Sequence, residues 1–177
     1  MGKWEYKKNK MRINIDNNKV FAYRVAGIAR KGSKVLIHKS SLGHNWALPG
    51  GACEFGQSSI ETLERELNEE LGAKIKVGSL QFIVENFFEW EEKNAHELGL
   101  YYEYTFIEDS IHFYDQVEFE GHEEHDVVNG NHKLYFKWVE LDVLASYDLK
   151  PSLLKKLLQE RNLHPKHIIH YDNKCDI

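Results

Sequence analysis

Several segments of the chain have the residue pattern of β-strands, because they are rich in β-branched and aromatic residues and are bounded by turn residues. The predicted strands are residues 20–30, 34–39, 74–88, 97–107 and 133–141. Gly32 and Ser33 predict a turn between the first two strands, and residues 91–94 predict a hairpin turn. We expect the third strand to be interrupted near residues 78–79.

One segment has the spacing of an α-helix instead. Its apolar residues share one arc at roughly 100° per residue, and we expect that arc to pack on the core. These residues are Ile60, Leu63, Leu67 and Leu71. Ser58 is a good N-cap residue, Glu61 completes a capping box with it, and Gly72 is a good C-terminal stop. The pattern therefore predicts a helix over about residues 59–71.

The two ends of the chain are less regular. Pro151 is well placed to open a final helix, since proline suits a first helical position. The expected buried side of that helix is Leu153, Leu154, Leu157 and Leu158. From His164 onward the chain is polar, and we expect a tail that is loosely packed or paired with a partner. The basic N-terminal stretch from Lys3 to Arg12 could bind an anion, although a solvated tail is the simpler interpretation.

The predicted helix 59–71 concentrates negative charge. Five glutamates occupy positions 61, 64, 66, 69 and 70, and Arg65 is the only cation among them. Glu66, Glu69 and Glu70 share an arc, and a like-charge pair at this spacing costs about 0.2–0.5 kcal/mol on an exposed helix. A divalent cation would reverse that cost, and oxygen ligands suit Mg²⁺, Mn²⁺ or Ca²⁺. The alternative is a solvated acidic face, on which Arg65 pairs with Glu61 or Glu69.

A glycine-rich loop precedes this helix. The run Leu48-Pro49-Gly50-Gly51 and the later Gly56 bracket a tight turn, which lets backbone approach a ligand closely. A loop of this kind that leads into three carboxylates could hold a metal-bound phosphate.

The loop and the helix together resemble the Nudix box of the Nudix hydrolase family, the MutT-like proteins. That motif is Gly, five residues, Glu, seven residues, Arg-Glu, an aliphatic residue, any residue, Glu-Glu, any residue, Gly and an aliphatic residue. The matching residues are Gly51, Arg65, Glu66, Leu67, Glu69, Glu70 and Gly72, and the lead-in Trp46-Ala-Leu-Pro-Gly-Gly is also typical of the family. Two positions depart from the motif. Gln57 stands where the family has its first Glu, and Ala73 is a minimal aliphatic residue.

The resemblance implies the fold of that family, a Nudix-type α/β/α sandwich with a mixed sheet. We expect one domain over residues 1–177, with a core at about 20–162 and with N- and C-terminal tails that are flexible or bound to a partner.

The resemblance also implies a reaction, the metal-dependent hydrolysis of a nucleoside diphosphate linked to another group, in which water attacks the pyrophosphate. Glu66, Glu69 and Glu70 would be the ligands of Mg²⁺, or of Mn²⁺, and Glu66 and Glu69 would take part in catalysis. Arg65 would orient a carboxylate of the motif. The alternative is a non-catalytic Nudix domain that senses a nucleotide or binds a partner protein, with Gln57 as a sign of lost activity.

Four residues are candidates for substrate binding. By the same resemblance, Gly50 and Gly51 would shape the loop at the phosphates. Arg24 could contact phosphate, although a surface strand residue is the simpler interpretation. Phe87 belongs to an aromatic cluster at residues 87–90 and could stack on a base, although packing in the core or against a partner is the favoured alternative.

The catalytic base is left open by the sequence. In the family it is a glutamate of the motif or one on a later loop, and residues 108–126 hold eight carboxylates with no lysine or arginine. The candidates there are Glu118, Glu120, Glu123 and Glu124, together with the interleaved His112, His122 and His125. Of these we select Glu120, and the favoured alternative is a solvated acidic loop.

Length and composition limit these hypotheses. A chain of 177 residues with 42% hydrophobic residues fits one globular domain. The net charge of −5 argues against an extended nucleic-acid surface. The chain has no apolar run long enough for a membrane span, no signal-like segment and only two cysteines, so we expect a cytoplasmic protein. Its partner would be a nucleotide-type small molecule, and a homodimer is an option. In the family that the chain resembles, the ADP-ribose-preferring group usually has a proline beyond the motif. This chain has none between Pro49 and Pro151, which counts against that preference, and the substrate is otherwise open.

Overall fold

The computed structural model describes residues 10–123, 132–160 and 164–172. Within these ranges the chain forms ten strands, two α-helices and two 3₁₀ helices. The strands are β1 (Arg12–Asp16), β2 (Lys19–Ile28), β3 (Arg30–Lys31), β4 (Lys34–Ser40), β5 (Gly50–Ala52), β6 (Ile75–Trp90), β7 (Lys93–Phe106), β8 (Glu118–Glu123), β9 (His132–Glu140) and β10 (Lys166–Asp172). The helices are α1 (Ser59–Leu71) and α2 (Leu154–Leu157), and the 3₁₀ helices are Glu108–Tyr114 and Leu141–Ser146.

The strands form two sheets. The larger sheet has the order β1-β2-β7-β6-β10, with β5 paired to β2, and the smaller has the order β3-β4-β9-β8. In the larger sheet β2 is parallel to β7 and β10 is parallel to β6, whereas its other pairs are antiparallel. The predicted mixed sheet is therefore confirmed, and the second sheet is an addition to it.

Helices pack on both faces of the larger sheet. Neighbouring residues of β2 point to opposite faces, so Val25 lies in the hydrophobic cluster that contains Leu63 of α1. Ala26 lies in the other cluster, which contains Leu154 of α2. This layering confirms the predicted α/β/α arrangement.

The hairpin of β6 and β7 is the longest pairing of the structure. It turns at Glu91 and Glu92, which have φ angles of 49° and 62°, so the turn predicted at residues 91–94 is confirmed. The expected interruption near residues 78–79 is a shift of register between Val77 and Leu80 rather than a break in the strand.

Helix α1 begins and ends at the predicted residues. The Ser58 hydroxyl accepts the backbone N–H of Glu61 at 3.2 Å, and the Glu61 carboxylate accepts the N–H of Ser58 at 2.8 Å. Gly72 ends the helix with a φ of 63°. The prediction for Ile60 is wrong, because this side chain is 44% exposed. The inward face of α1 runs through Glu66 and Glu70, and this rotation turns Ile60 toward solvent.

Two predictions for the C-terminal part of the chain are corrected by the structure. Pro151 does not open a helix directly, since α2 covers only Leu154–Leu157, although Leu154, Leu157 and Leu158 are buried as expected. The tail after His164, which we expected to be loosely packed or paired with a partner, contains β10, and β10 pairs in parallel with β6.

The described part of the acidic segment, residues 108–123, is also more ordered than a solvated loop. It contains a 3₁₀ helix and β8, because Phe113 and Phe119 are buried in the core. At the N-terminus, Arg12 lies in β1 rather than in a solvated tail, and Lys3, Lys7 and Lys8 lie outside the described residues.

Candidate active site

Helix α1 turns two of its carboxylates inward. Glu66 is 5% exposed and Glu70 is 8% exposed, so both belong to the buried face of the helix together with Leu63 and Leu67. Buried carboxylates are rare unless they are paired or bind a cation. The inward position of these two groups is therefore the first sign of a site.

The glycine loop meets these carboxylates. A Cβ atom on Gly51 would lie 2.3 Å from the carboxyl carbon of Glu66, so only glycine allows this approach. Gly50 has a φ of 138°, and a Cβ there would lie 2.2 Å from the carbonyl oxygen of Val25. Both glycines are in β5, which pairs with β2 and fixes the loop against the helix.

Arg65 connects the loop to the helix. Its Nη1 donates to Glu69 at 2.9 Å, and its Nη2 lies 2.9 Å from Oε1 of Glu66. Of the two partners expected for Arg65, Glu69 is therefore found. Glu61 is used in the N-terminal cap of the helix instead.

The same guanidinium also holds the loop. Its Nε donates to Oε1 of Gln57 at 3.0 Å, and its Nη2 donates to the carbonyl oxygen of Ala52 at 3.2 Å. Oε1 of Glu54 lies 3.7 Å from its Nη1. Glu54 was not among the predicted residues, and nothing local in the sequence marks it, because the contact depends on how the loop folds over α1.

Glu66 and Glu70 line a cleft of about 300 Å³ whose other lining groups include several cations. The cationic residues of the cleft are Lys10, Arg12, Arg24 and Lys39. The ammonium group of Lys10 lies 3.7 Å from Oε1 of Glu66. The cleft thus brings carboxylates and cations together in one space.

Arg24 is half-buried and contacts the glycine loop. Its Nη2 donates to the carbonyl oxygens of Leu48 and Gly50, at 3.2 Å and 3.3 Å. The simpler interpretation of Arg24, as a surface strand residue, is therefore corrected. Its guanidinium lies at the glycine loop and borders the cleft.

His38 is a cleft residue that the sequence analysis missed. It is 7% exposed, and its Nδ1 lies 3.7 Å from Oε2 of Glu70. Burial lowers the pKa of His38 to about 3, with Arg24 as the second cause, so the ring is neutral near pH 7. A polar residue that follows the apolar run Val35-Leu36-Ile37 is the sequence signal that could have indicated it.

A second compartment of about 270 Å³ adjoins the cleft and shares Arg24 with it. Phe88 and Trp90 line this compartment, whereas Phe87 does not. Phe87 points to the other face of β6 and stacks on His96 and Tyr171, with ring centroids 4.3 Å and 5.0 Å away. The sequence pointed to the right aromatic cluster but to the wrong residue in it, because Phe88 and Trp90 line the compartment and Phe87 does not.

The candidates for a base on β8 lie elsewhere. Glu120 is about half exposed and pairs with Lys133 at 2.9 Å, and Glu118 pairs with Lys137 at 2.6 Å. Neither carboxylate lines the cleft.

The remaining candidates for a base in the acidic segment do not line the cleft or fall outside the described residues. His112 and His122 are exposed. Glu124 and His125, and the side chain of Glu123, lie outside the part of the chain that the structure describes.

The donor set of the cleft fits a hard divalent cation. Oε1 of Glu66 is buried, and the cationic groups that face it are Nη2 of Arg65 at 2.9 Å and the ammonium group of Lys10 at 3.7 Å. Among the described residues, no three acidic, histidine or cysteine side chains converge into a ready-made metal site. Glu66 and Glu70 line the cleft, whereas Glu69 does not and forms an ion pair with Arg65. Across the described ranges, no helix has the length and apolar character that crossing a membrane requires.

Known proteins agree with this architecture. The family model of the NUDIX domain matches residues 20–160. An RNA pyrophosphohydrolase from Ruthia magnifica subsp. Calyptogena magnifica is 42% identical over 45 residues, which is 25% of this chain and 25% of that protein. The chain therefore matches only a quarter of that relative's length.

Two solved structures illustrate the likeness in fold. The crystal structure of a UDP-X diphosphatase has a TM-score of 0.56 at 18% identity, and the match covers 83% of this chain and 66% of that one, just under two thirds. A MutT protein from Bacillus halodurans has a TM-score of 0.54 at 18% identity, covering 86% of this chain and 91% of that chain.

Proposed function

The chain belongs to the NUDIX domain family, and we propose that it is a metal-dependent pyrophosphohydrolase of a nucleoside diphosphate linked to another group. Its substrate would be a small nucleotide-type molecule, which water cleaves at the pyrophosphate bond. The observation that carries this proposal is the cleft in which Glu66 and Glu70 face a set of cationic side chains.

The cationic side chains would bind the phosphate oxygens. Arg24 and Lys39 line the cleft beside the glycine loop, where phosphates can also approach the backbone. Gly50 and Gly51 shape this part of the loop, and larger residues at either position would push into Val25 or Glu66. A pyrophosphate group fits such a site because its charge is spread over several oxygens.

Glu66 and Glu70 would hold Mg²⁺ or Mn²⁺, and Glu69 would join them when Arg65 exchanges its partner. A divalent ion held there would supply positive charge against the phosphate oxygens and Lewis-acid activation of water. The ammonium group of Lys10 lies 3.7 Å from Oε1 of Glu66, so it would compete with a metal ion for this carboxylate.

Arg65 is a positioning residue in this proposal. Its contacts with Gln57 and the Ala52 carbonyl fix the loop, while its contacts with Glu66 and Glu69 fix the carboxylates. Because Gln57 still accepts a hydrogen bond from Arg65, the departure from the family motif preserves the link between loop and helix.

The proton of the attacking water would pass to a carboxylate of α1. A base works best when its pKa is near the working pH, so His38, with a pKa of about 3, is poorly suited. Glu120 is paired with Lys133 outside the cleft. Glu66 and Glu69 are therefore the assigned candidates, and of the two it is Glu66 that lines the cleft.

A panel of substrates tests the proposal. Nucleoside triphosphates, dinucleoside polyphosphates, sugar nucleotides and capped RNA are incubated with Mg²⁺ or Mn²⁺, and phosphate release is measured with and without added phosphatase. We expect turnover of at least one class that requires the metal. If no compound is cleaved but one raises the melting temperature, the non-catalytic nucleotide sensor is the better description.

A further inference from the structure

The second compartment lies directly beside the cleft for phosphates. The two spaces share Arg24, Asn45 and Ala47, so one ligand can extend from one into the other. The compartment of about 270 Å³ has room for a planar ring system. Its chemistry therefore bears on which nucleotide the protein accepts.

The floor of the compartment is the sheet. Asn86 of β6 lies directly opposite Glu97 of β7, and such antiparallel partners have Cβ atoms about 4.5–5.5 Å apart. Phe88 follows two residues later on the same face of β6, opposite Asp172 of β10. Two polar groups and an aromatic ring are thus placed side by side on rigid strands.

Asn86 has an unused acceptor. The residue is 4% exposed, and its Oδ1 is buried without a hydrogen-bond partner. Buried polar atoms are nearly always satisfied, and an exception in a pocket indicates a group that a ligand completes. Asn86 lines the compartment, so a ligand donor can reach that side chain there.

Glu97 adds two further acceptor oxygens next to Asn86. Burial raises the pKa of Glu97, against the opposing influence of Arg24 and Arg12. Hydrogen bonds from the N–H groups of a ligand would favour the charged form of this carboxyl group.

Aromatic side chains complete the compartment. Phe88 and Trp90 both line it, and Arg12 lies over the Trp90 ring with its guanidinium carbon 4.7 Å from the centroid. Flat aromatic faces of this kind stack on nucleobases without regard to sequence. The aromatic rings could stack on any nucleobase, so the choice among bases would depend on the hydrogen-bond acceptors.

We propose that this compartment binds a guanine base, with Glu97 accepting N1–H and one N2–H and Asn86 Oδ1 accepting the other N2–H. Guanine offers three hydrogens along this edge, whereas adenine and cytosine offer two from their amino groups and uracil offers one. The proposal rests on the proposed function, since it assigns the nucleoside part of the same substrate. Its specificity would follow from Oδ1 of Asn86, which has no hydrogen-bond partner, and from the Glu97 carboxylate, since both residues line the compartment.

Binding measurements test the proposal without requiring hydrolysis. GDP, ADP, UDP and CDP are titrated into the full chain by calorimetry, with Mg²⁺ present. We expect GDP to bind at least about tenfold more tightly than the others, as is usual for one good bidentate contact to a base. Equal affinities for the four, or a preference for another base, would overturn the assignment.

Two variants and a control locate the preference. E97Q and N86A should each reduce the ratio of ADP to GDP dissociation constants by about tenfold. E85Q alters a carboxylate on the opposite face of β6, which pairs with His167, and should leave that ratio unchanged. Circular dichroism checks folding, and N86A serves if E97Q fails to fold. An unchanged ratio in a folded variant contradicts the proposal.

The two proposals fail in different ways. If GDP binds preferentially but no guanosine compound is cleaved with Mg²⁺ or Mn²⁺, the compartment assignment stands and the hydrolase function is wrong. If nucleotides are cleaved with the same kcat/KM for all four bases, the hydrolase function stands and the guanine assignment is wrong.

Discussion

Gln57 accepts a hydrogen bond from Nε of Arg65 at 3.0 Å, and it does so at the position where the family motif has a glutamate. The contact needs only an acceptor oxygen, which an amide supplies as well as a carboxylate. What the amide does not supply is negative charge. Charge around Arg65 comes instead from Glu66 and Glu69, with Glu54 at 3.7 Å.

Removal of this acceptor should impair the site at a distance. Q57L keeps the size of the side chain but leaves Nε of Arg65 without its partner, so the guanidinium can shift relative to Glu66. We expect a loss of roughly 10–100-fold in metal affinity or kcat, as for other partners of metal ligands. Q57E retains the acceptor and should stay at or above the wild-type value. Equal metal titrations for Q57L and the wild type would contradict this role.

Replacing a glutamate of α1 by glutamine should lower activity while the protein stays folded. E66Q, E69Q and E70Q should each lower Mg²⁺-dependent kcat by more than the roughly 10–100-fold expected for an outer partner of a ligand. They should also lose the rise in Tm that Mg²⁺ produces, since a ligand of the folded state stabilises it. E64Q is the matched control, because Glu64 is exposed on the same helix. Undiminished turnover in all three folded variants would exclude the metal assignment.

A methyl group on the loop should displace a carboxylate. In G51A the new Cβ would lie 2.3 Å from the carboxyl carbon of Glu66, so Glu66 must move away from the loop. We expect weaker binding of Mn²⁺, measured by electron paramagnetic resonance, together with a lower kcat. G43A is the control, since a Cβ there meets its nearest atom at 3.8 Å. Identical Mn²⁺ affinities for the two variants would show that the contact is unimportant.

The N-terminal cap of α1 should contribute to stability alone. S58A removes the acceptor for the N–H of Glu61 and should lower the free energy of unfolding by about 1 kcal/mol. Urea denaturation measures this difference, with S41A in an exposed loop as the control. A reduced metal affinity in S58A would mean that the cap also positions the carboxylates, contrary to this expectation.

Glu97 should make stability depend on pH. Burial raises the pKa of Glu97 above its unfolded value of 4.5, so the folded state holds the proton more tightly. The stability gained is complete below pH 4.5 and is lost as the pH rises through the folded-state pKa. E97Q removes this loss, so its free energy of unfolding should exceed that of the wild type increasingly over that window. A difference that does not vary with pH would contradict the assignment.

Local interactions made parts of the structure predictable from sequence. The cap at Ser58 and the stop at Gly72 depend on residues within a few positions, and so the bounds of α1 are correct. The exposure of Ile60 depends on the rotation of the helix, whose buried face contains Glu66 and Glu70 as well as Leu63 and Leu67. An apolar arc alone does not show that the inward face also contains carboxylates.

Long-range contacts explain what the sequence did not reveal. His38 and Glu54 reach the site only after β4 and the glycine loop have folded over α1. Phe87 and Phe88 are the same residue type at adjacent positions, so the sequence does not show which of them faces the compartment. The orientation of β6 in the sheet decides this, and it places Phe88 there. The parallel pairing of β10 with β6 likewise joins residues more than eighty positions apart.

Strand β10 also affects the order in which the two compartments are completed during translation. The described lining of the phosphate cleft is contained within residues 10–134, whereas the neighbouring compartment needs Lys150, Pro151 and finally Asp172. A nascent chain therefore contains every lining residue of the first space well before the last wall of the second has been synthesised. The residues that line the phosphate cleft all precede the final strand, whereas base discrimination in the proposed compartment would require a wall that includes Asp172.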